Sequence, residues 1–223
     1  MAERINVLKT YKIFIGGKFP RTESGRFYQL NNPSKAIANV CFSSRKDLRN
    51  AVVAARAAFE KWTGATAYNR SQILYRMAEM MEGRKDQFIS ELVLQGIDRK
   101  KATVEVDISI DRVIYFAGWA DKINQVFGSV NPVATSHFNF SLMEPMGVVG
   151  LVAPENSGLL GLVSSLCPIL VSGNCAVVLA SEKLPLCSIT LAEVLATSDV
   201  PGGVVNILTG KKEEIMVHLA KHM

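Results

Sequence analysis

The chain has 223 residues, of which 48% are hydrophobic and 20% charged. That balance supports a sizeable buried core and excludes an intrinsically disordered protein. The net charge of +5 comes from scattered lysines and arginines without a run of like charge, which favours an ordinary solvated surface over a nucleic-acid groove.

The sequence carries no visible targeting or membrane signal. Its first twelve residues, MAERINVLKTYK, contain neither an apolar central region nor a small-residue cleavage site, so a cytoplasmic protein is expected. The longest apolar stretch, residues 159–171, is interrupted by Gly161, two serines and Pro168, and it is shorter than the ~20 residues that a membrane span needs.

The cysteines and histidines do not form a recognisable metal or disulfide pattern. No C-x-x-C spacing occurs, and the four cysteines stand among apolar residues, which is typical of free buried thiols: Cys41, Cys167, Cys175 and Cys187. His218 and His222 would share a helix face, but no third ligand accompanies them. No metal site is predicted, and a histidine near a helix carboxyl terminus is favoured by the helix dipole.

The first 124 residues predict a small sheet followed by helices. Short β-rich runs at residues 11–15, 27–30 and 38–42 are separated by turn residues and predict an N-terminal β-meander. Ser44 and Asp47 form a capping-box pattern before a first helix that reaches Trp62. A second helix is predicted over residues 73–81, and it restarts after Gly83 with Phe88 and Leu92.

A third helix is predicted from about residue 101 to residue 123. Five of its apolar residues are expected to face inward because they follow helical spacing: Val106, Ile110, Val113, Ile114 and Ala117. Residues 126–144 then alternate, with Phe138, Phe140 and Leu142 on one face, which predicts a half-buried strand or hairpin.

The last third of the chain predicts a parallel sheet with flanking helices. Residues 146–152 are continuously apolar, as in a strand covered on both faces. Further strands are predicted at residues 175–180 and 204–208, with helices to residue 171, at 184–197 and from about 211. Three β-α units in series imply right-handed crossovers, and the strands' carboxyl ends should line one ligand-binding edge.

Four separated blocks then carry a family resemblance. IGGKF, YFAGWADKI at residues 115–123, EPMGVVG at 144–150 and PGGVVNILTG at 201–210 occur in one order, and the chain resembles the aldehyde dehydrogenase superfamily from about Tyr11 onward. It is most similar to the divergent, degenerate domain of family sixteen and its bacterial relatives.

The resemblance implies an α/β fold with a Rossmann-like parallel sheet and a particular domain organisation. Residues 1–123 would be the meander and helices that pack on the nucleotide-binding domain. Residues 124–145 would form a β-hairpin oligomerisation arm, or alternatively an ordinary hairpin folded on its own domain. Residues 146–223 would be a partial Rossmann-like βαβαβα unit, with the catalytic domain absent.

The resemblance also implies a substrate site at the end of the first parallel strand. Asn156 matches the family's asparagine that donates to the substrate oxyanion, although a turn residue capping the next helix is an equal alternative. Glu155 stands where the family has tryptophan, and we expect its charge to oppose a dinucleotide pyrophosphate.

The implied cofactor site is only partly filled. In the family a lysine and a glutamate hold the adenosine ribose, and here Leu179 replaces the lysine while Ser181 and Glu182 follow the family pattern. Val152, Pro154 and Glu155 complete the expected cofactor-binding set. Loss of one charged hydrogen bond weakens binding by roughly ten- to a hundredfold, so NAD or NADP is expected to bind weakly.

Two functions remain open. The family's general-base glutamate and nucleophilic cysteine would lie beyond Met223, and none of the four cysteines occupies that motif, so the chain alone is expected not to oxidise aldehydes. It would then be a non-catalytic subunit that forms a dimer or associates with a related aldehyde dehydrogenase chain. The alternative is a truncated or split NAD(P)-dependent aldehyde dehydrogenase whose catalytic half is missing from this chain.

Overall fold

The computed structural model describes residues 7–222, so part of the amino-terminal stretch used for the targeting prediction lies outside the described residues. Its first sheet contains β1 (Thr10–Tyr11), β2 (Phe27–Asn32) and β3 (Lys35–Cys41) in the order β1-β3-β2. The strands β2 and β3 form an antiparallel hairpin, whereas β1 runs parallel to β3. The predicted meander is therefore wrong, because a meander pairs consecutive strands antiparallel.

The reason is that the segment after β1 leaves the small sheet for the main one. Phe14 exchanges both backbone hydrogen bonds with Ile207, at N–O distances of 2.8 and 2.7 Å. The Gly16 amide donates to the Asn206 side chain at 2.9 Å. These contacts anchor the amino-terminal segment to a strand almost two hundred residues later, which no local pattern indicates.

Glycines permit this close approach. A Cβ on Gly202 would lie 2.8 Å from the Gly16 carbonyl oxygen, and one on Gly203 would lie 2.5 Å from the Ala54 carbonyl oxygen. Gly203 also has a φ of +97°, a conformation that side chains strongly disfavour. The PGG turn thus brings the first helix and the amino-terminal segment against the main sheet.

Five helices follow the small sheet: α1 (Arg45–Thr63), α2 (Ala67–Glu82), α3 (Lys85–Leu94), α4 (Arg99–Ala117) and α5 (Ile123–Phe127). The Ser44–Asp47 capping box at α1 is confirmed. The third predicted helix ends earlier than expected, since α4 stops at Ala117 and Gly118 caps it. The inward assignment of Ile114 is wrong, because it is 42% exposed, about 100° around the helix from buried Val113.

A two-stranded antiparallel hairpin, β4 (Ser129–Asn131) and β5 (Asn139–Ser141), projects after α5. The predicted burial of one hairpin face is wrong. Phe138, Phe140 and Leu142 are all more than half exposed. The alternating apolar and polar residues indicated which side chains share a face. They could not indicate that this face does not pack on the core of the same chain.

The main sheet contains β6 (Val148–Val152), β7 (Cys175–Leu179) and β8 (Val205–Leu208), all parallel in the order β6-β7-β8. The connections are α6 (Leu160–Val171) and α7 (Leu186–Thr197), and α8 (Lys212–Ala220) follows β8. The predicted Rossmann-like α/β architecture is confirmed. The strand β7 is fully buried, but β6 is only half-buried, so its expected coverage on both faces is wrong. In the described part of the chain β6 has a neighbour on one side alone.

One cluster of buried apolar residues joins the layers. It runs from Tyr11 through the helices to Ile215, and the Trp62 indole donates to the Leu170 carbonyl oxygen across it at 3.2 Å. None of the helices in residues 7–222 is both long enough and apolar enough to cross a membrane.

Candidate functional site

The carboxyl ends of the three parallel strands meet at one edge. Ala153 donates its amide to Leu179, and Ala180 donates its amide to Leu208, each at 2.9 Å, so the ladder continues to the last residue of each strand. The turns that follow therefore lie side by side. Ligands of such sheets bind outside this edge.

Glu155, in the turn after β6, reaches across to the turn after β7. Its carboxylate accepts hydrogen bonds from the Ser181 hydroxyl at 2.7 Å and from the Glu182 and Lys183 amides at 3.2 and 3.1 Å. It also forms an ion pair with Lys212 at the start of α8. One side chain thus links the ends of all three strands.

The expected uncompensated negative charge at this position is therefore not found. Burial by itself would raise the pKa of Glu155, but the hydrogen bonds from Lys212, Ser181 and the Lys183 and Glu182 amides lower it to about 2. The group is a carboxylate at neutral pH, and its charge is neutralised within the protein.

Lys212 is the residue of this edge that sequence reasoning missed. Its ammonium also donates to the Ala153 carbonyl oxygen at 2.5 Å, and its backbone amide donates to the Glu182 carboxylate. A signal was available, because a helix starting near Lys211 follows the third strand directly and must begin at the same edge. Nothing in the sequence indicated that its partner would be Glu155.

Asn156 lies exposed at the edge, and its side chain has no hydrogen-bond partner within residues 7–222. The alternative that it caps α6 is wrong. The Glu105 carboxylate on α4 instead accepts from the Leu159 and Leu160 amides at 2.8 and 3.1 Å and from the Ser157 hydroxyl at 2.8 Å. Ser157 in turn accepts from the Gly161 amide at 2.8 Å.

The expected cofactor-binding residues are not equally accessible. Leu179 ends β7 and is 1% exposed, Ser181 is 2% exposed, and Val152 and Pro154 are half-buried. Glu182 accepts from the Lys212 amide through one oxygen, and its carbonyl oxygen accepts from the Tyr28 hydroxyl at 3.5 Å. Burial, then Glu182 and Glu155, raise the pKa of Tyr28, so this phenol stays protonated beside the edge.

All four cysteines are buried. Burial raises the pKa of Cys167 to about 12 and that of Cys175 to about 11, and burial followed by Glu91 raises the pKa of Cys187 well above its usual value. Because the thiolate is the nucleophilic form, these three thiols are unsuited to covalent catalysis at neutral pH.

Comparison with known proteins identifies the family. The family model described as the aldehyde dehydrogenase family matches residues 20–223. The cytosolic 10-formyltetrahydrofolate dehydrogenase of Mus musculus is 32% identical over 99% of this chain and 25% of its own length. The mitochondrial aldehyde dehydrogenase of Leishmania tarentolae is 33% identical over 95% of this chain and 43% of its own length.

The fold agrees with that assignment. The NAD⁺ complex structure of an aldehyde dehydrogenase from Bacillus cereus superimposes with a TM-score of 0.91 at 28% identity, covering 96% of this chain and 44% of that one. The chain belongs to the aldehyde dehydrogenase family. It spans a quarter to less than half the length of these relatives. The finer resemblance to family sixteen stays a prediction.

The residues at the edge do not fit an adenosine ribose in this arrangement. Leu179, for which the resemblance implies the lysine position of the family clamp, is buried and has no donor. One Glu182 oxygen is engaged by Lys212, and the donors of the turn at residues 181–183 are engaged by Glu155. A dinucleotide would have to replace these internal contacts before it could use the same groups.

Proposed function

We propose that this chain is a non-catalytic member of the aldehyde dehydrogenase family whose role is association, through a surface that we call the arm (residues 124–145). The observation that carries the proposal is the exposure of the apolar side chains of the arm. Val130 is 70% exposed and Phe138 is 75% exposed. Large apolar patches on a soluble protein are typical of interaction surfaces.

The backbone of the arm supports the same role. An isolated two-stranded hairpin is marginally stable in water, and each of its strands leaves one edge unpaired. The strands β4 and β5 pair with each other alone among the described residues. A strand from a partner would pair with the free edge of this sheet, and the same partner would cover its apolar side chains.

An open groove continues this surface at the base of the arm. Its volume is about 980 Å³, and its lining includes Tyr115 and Phe116 of α4 and Phe127 of α5. Trp119 stacks on Phe127 at 6.3 Å between ring centroids and is itself adjacent to Tyr115. The partner we favour is a second copy of the chain, giving a dimer, and a related aldehyde dehydrogenase chain is the alternative.

Sedimentation equilibrium on the purified chain tests the proposal. We expect a mass of at least twice 24.4 kDa for the native protein and a shift toward the monomer for Phe138→Ser/Phe140→Ser. The control is Tyr68→Ser, since Tyr68 is about as exposed as Phe138 but lies on α2. A native chain that stays monomeric, both alone and when mixed with a related aldehyde dehydrogenase, contradicts the association role.

The second candidate is one part of an NAD(P)-dependent aldehyde dehydrogenase. The specific observation in its favour is Asn156, which presents an unengaged neutral donor at the sheet edge, as an oxyanion-binding role needs. The remaining half of such an enzyme would supply the nucleophile and base. Aldehyde-dependent NADH formation by this chain, alone or with that half, would favour this candidate over the non-catalytic role.

On either function we propose a cytoplasmic protein and weak binding of NAD or NADP. The relative from Mus musculus is named as cytosolic, and the neighbouring Bacillus cereus structure is named as an NAD⁺ complex. Those names describe the related proteins, and they support the same two properties as proposals for this chain. Equilibrium dialysis with radiolabelled NAD tests the second, and we expect no retention at micromolar cofactor.

A further inference from the structure

The strand edge that normally receives ligands is filled here by a side chain of the protein itself. Both Glu155 carboxylate oxygens are engaged: one accepts from the Ser181 hydroxyl and the Lys183 amide, and the other accepts from the Glu182 amide and pairs with Lys212. Four donors on one carboxylate is the coordination that a bound oxyanion receives.

The four donors do not come from the segment that carries the carboxylate. Ser181, Glu182 and Lys183 belong to the turn after β7, and Lys212 opens α8 after β8. Ser181 is 2% exposed, and the Lys212 side chain is 18% exposed. Three of the donors thus share one turn, and the fourth belongs to the element that begins beside it at the same sheet edge.

The ammonium of Lys212 has a second anchor that keeps it in place. It donates to the Ala153 carbonyl oxygen at 2.5 Å, while its backbone amide donates to Glu182. Removal of the Glu155 carboxylate would therefore leave a hydroxyl and two amides without their acceptor, and the Lys212 ammonium with the Ala153 carbonyl oxygen but without its counter-charge. Donors that have lost their acceptor favour binding of any acceptor that fits.

We infer that Glu155 is an internal ligand that closes the sheet edge, and that the donors from Ser181, Glu182, Lys183 and Lys212 form a site for a phosphate or carboxylate group when its carboxylate is absent. An external anion must displace Glu155 to reach them in the native chain. Its apparent affinity is reduced by the small fraction of molecules in which Glu155 is displaced.

The inference concerns the nucleotide edge and does not depend on the arm. Isothermal titration calorimetry at constant ionic strength tests it, with inorganic phosphate and ADP as separate probes of native protein and of Glu155→Ala. We expect phosphate affinity to rise by about ten- to a hundredfold in the variant, because a charge-assisted competitor is removed. A larger gain for ADP than for phosphate identifies a nucleotide as the ligand, and an equal gain identifies the free anion.

A pair of double variants separates this site from a general charge effect. Glu155→Ala/Lys212→Met removes a donor and should lose the gain. Glu155→Ala/Lys183→Met removes an equal charge, but only the backbone amide of Lys183 donates, so the gain should remain. A gain that survives Lys212→Met overturns the inference.

Circular dichroism establishes that each variant is folded before titration. If Glu155→Ala does not fold, Glu155→Gln keeps the length of the side chain but removes its charge, and a gain of about threefold or more in phosphate affinity is expected of it. A folded Glu155→Ala, or failing that a folded Glu155→Gln, that binds phosphate and ADP no more tightly than native protein also overturns the inference.

Discussion

Glu155 shows how one residue can acquire a different role from the one its position suggests. Its place after the first parallel strand exposes it to the ligand edge, where a free carboxylate would repel phosphates. In the structure Lys212 neutralises it, and the turn after β7 solvates it with a hydroxyl and two amides. The carboxylate therefore connects the strand ends through hydrogen bonds and an ion pair, and its charge is neutralised.

The depressed pKa of Glu155 predicts a specific pH dependence of stability. A carboxyl whose pKa falls from 4.5 to about 2 on folding stabilises the native state above pH 4.5, and that contribution is lost as the pH falls toward 2. Because the side chain is 30% exposed, solvent screening reduces the effect to about 1 kcal/mol.

Urea unfolding of native protein and Glu155→Gln across this range measures the effect. The two free energies of unfolding should differ most at neutral pH and converge toward pH 2. The other charged and titratable groups beside this carboxylate, Glu182, Lys183, Lys212 and Tyr28, are unchanged in the variant. Glu213→Gln, at an exposed position on α8, is the control and should follow native protein. A constant difference between native protein and Glu155→Gln at every pH would contradict the assigned pKa.

At the scale of the elements, α6 depends on a residue of another helix. The side chain of its N-cap residue, Leu159, makes no capping hydrogen bond. The Glu105 carboxylate of α4 instead accepts hydrogen bonds from the Leu159 and Leu160 amides at the start of the helix. A helix start needs such acceptors, and one supplied from a distant element cannot be recognised in a local capping pattern. This contact also fixes the turn that presents Asn156.

Removal of that acceptor should destabilise the protein. Glu105→Ala leaves the Leu159 and Leu160 amides and the Ser157 hydroxyl without their partner, so we expect a loss of about 1–3 kcal/mol in the free energy of unfolding. Asp111→Ala, at an exposed position on the same helix, should change stability by less than about 0.5 kcal/mol. Chemical denaturation compares the two, and equal losses would refute the capping role.

At the scale of the whole molecule, the helices and the main sheet share one buried cluster. Trp62 of α1 bonds to the end of α6, and Phe14 pairs with β8, so contacts between distant parts of the sequence hold the layers together. The proposed division at residue 123 therefore separates two stretches of sequence that bury their apolar surface against each other. The arm lies outside this cluster.

Such a shared core predicts cooperative unfolding of the two stretches. Far-ultraviolet circular dichroism, dominated by the helices, and the fluorescence of fully buried Trp62 should give the same midpoint in guanidinium chloride. Trp119→Phe removes the second tryptophan signal for this measurement. Two transitions with separate midpoints would show that residues 1–123 and 146–223 fold independently.

The sequence by itself determined the parallel sheet, its helices, the capping box at Ser44 and the family, because these depend on periodicity and on motifs within short segments. Only the tertiary structure decided the pairing of Phe14 with Ile207, the exposure of the arm, and the contacts of Glu155 and Glu105. Each of these joins residues that are distant in sequence or depends on where the core lies. The chemistry of a side chain follows from the residue type, but which residue it contacts depends on the tertiary structure.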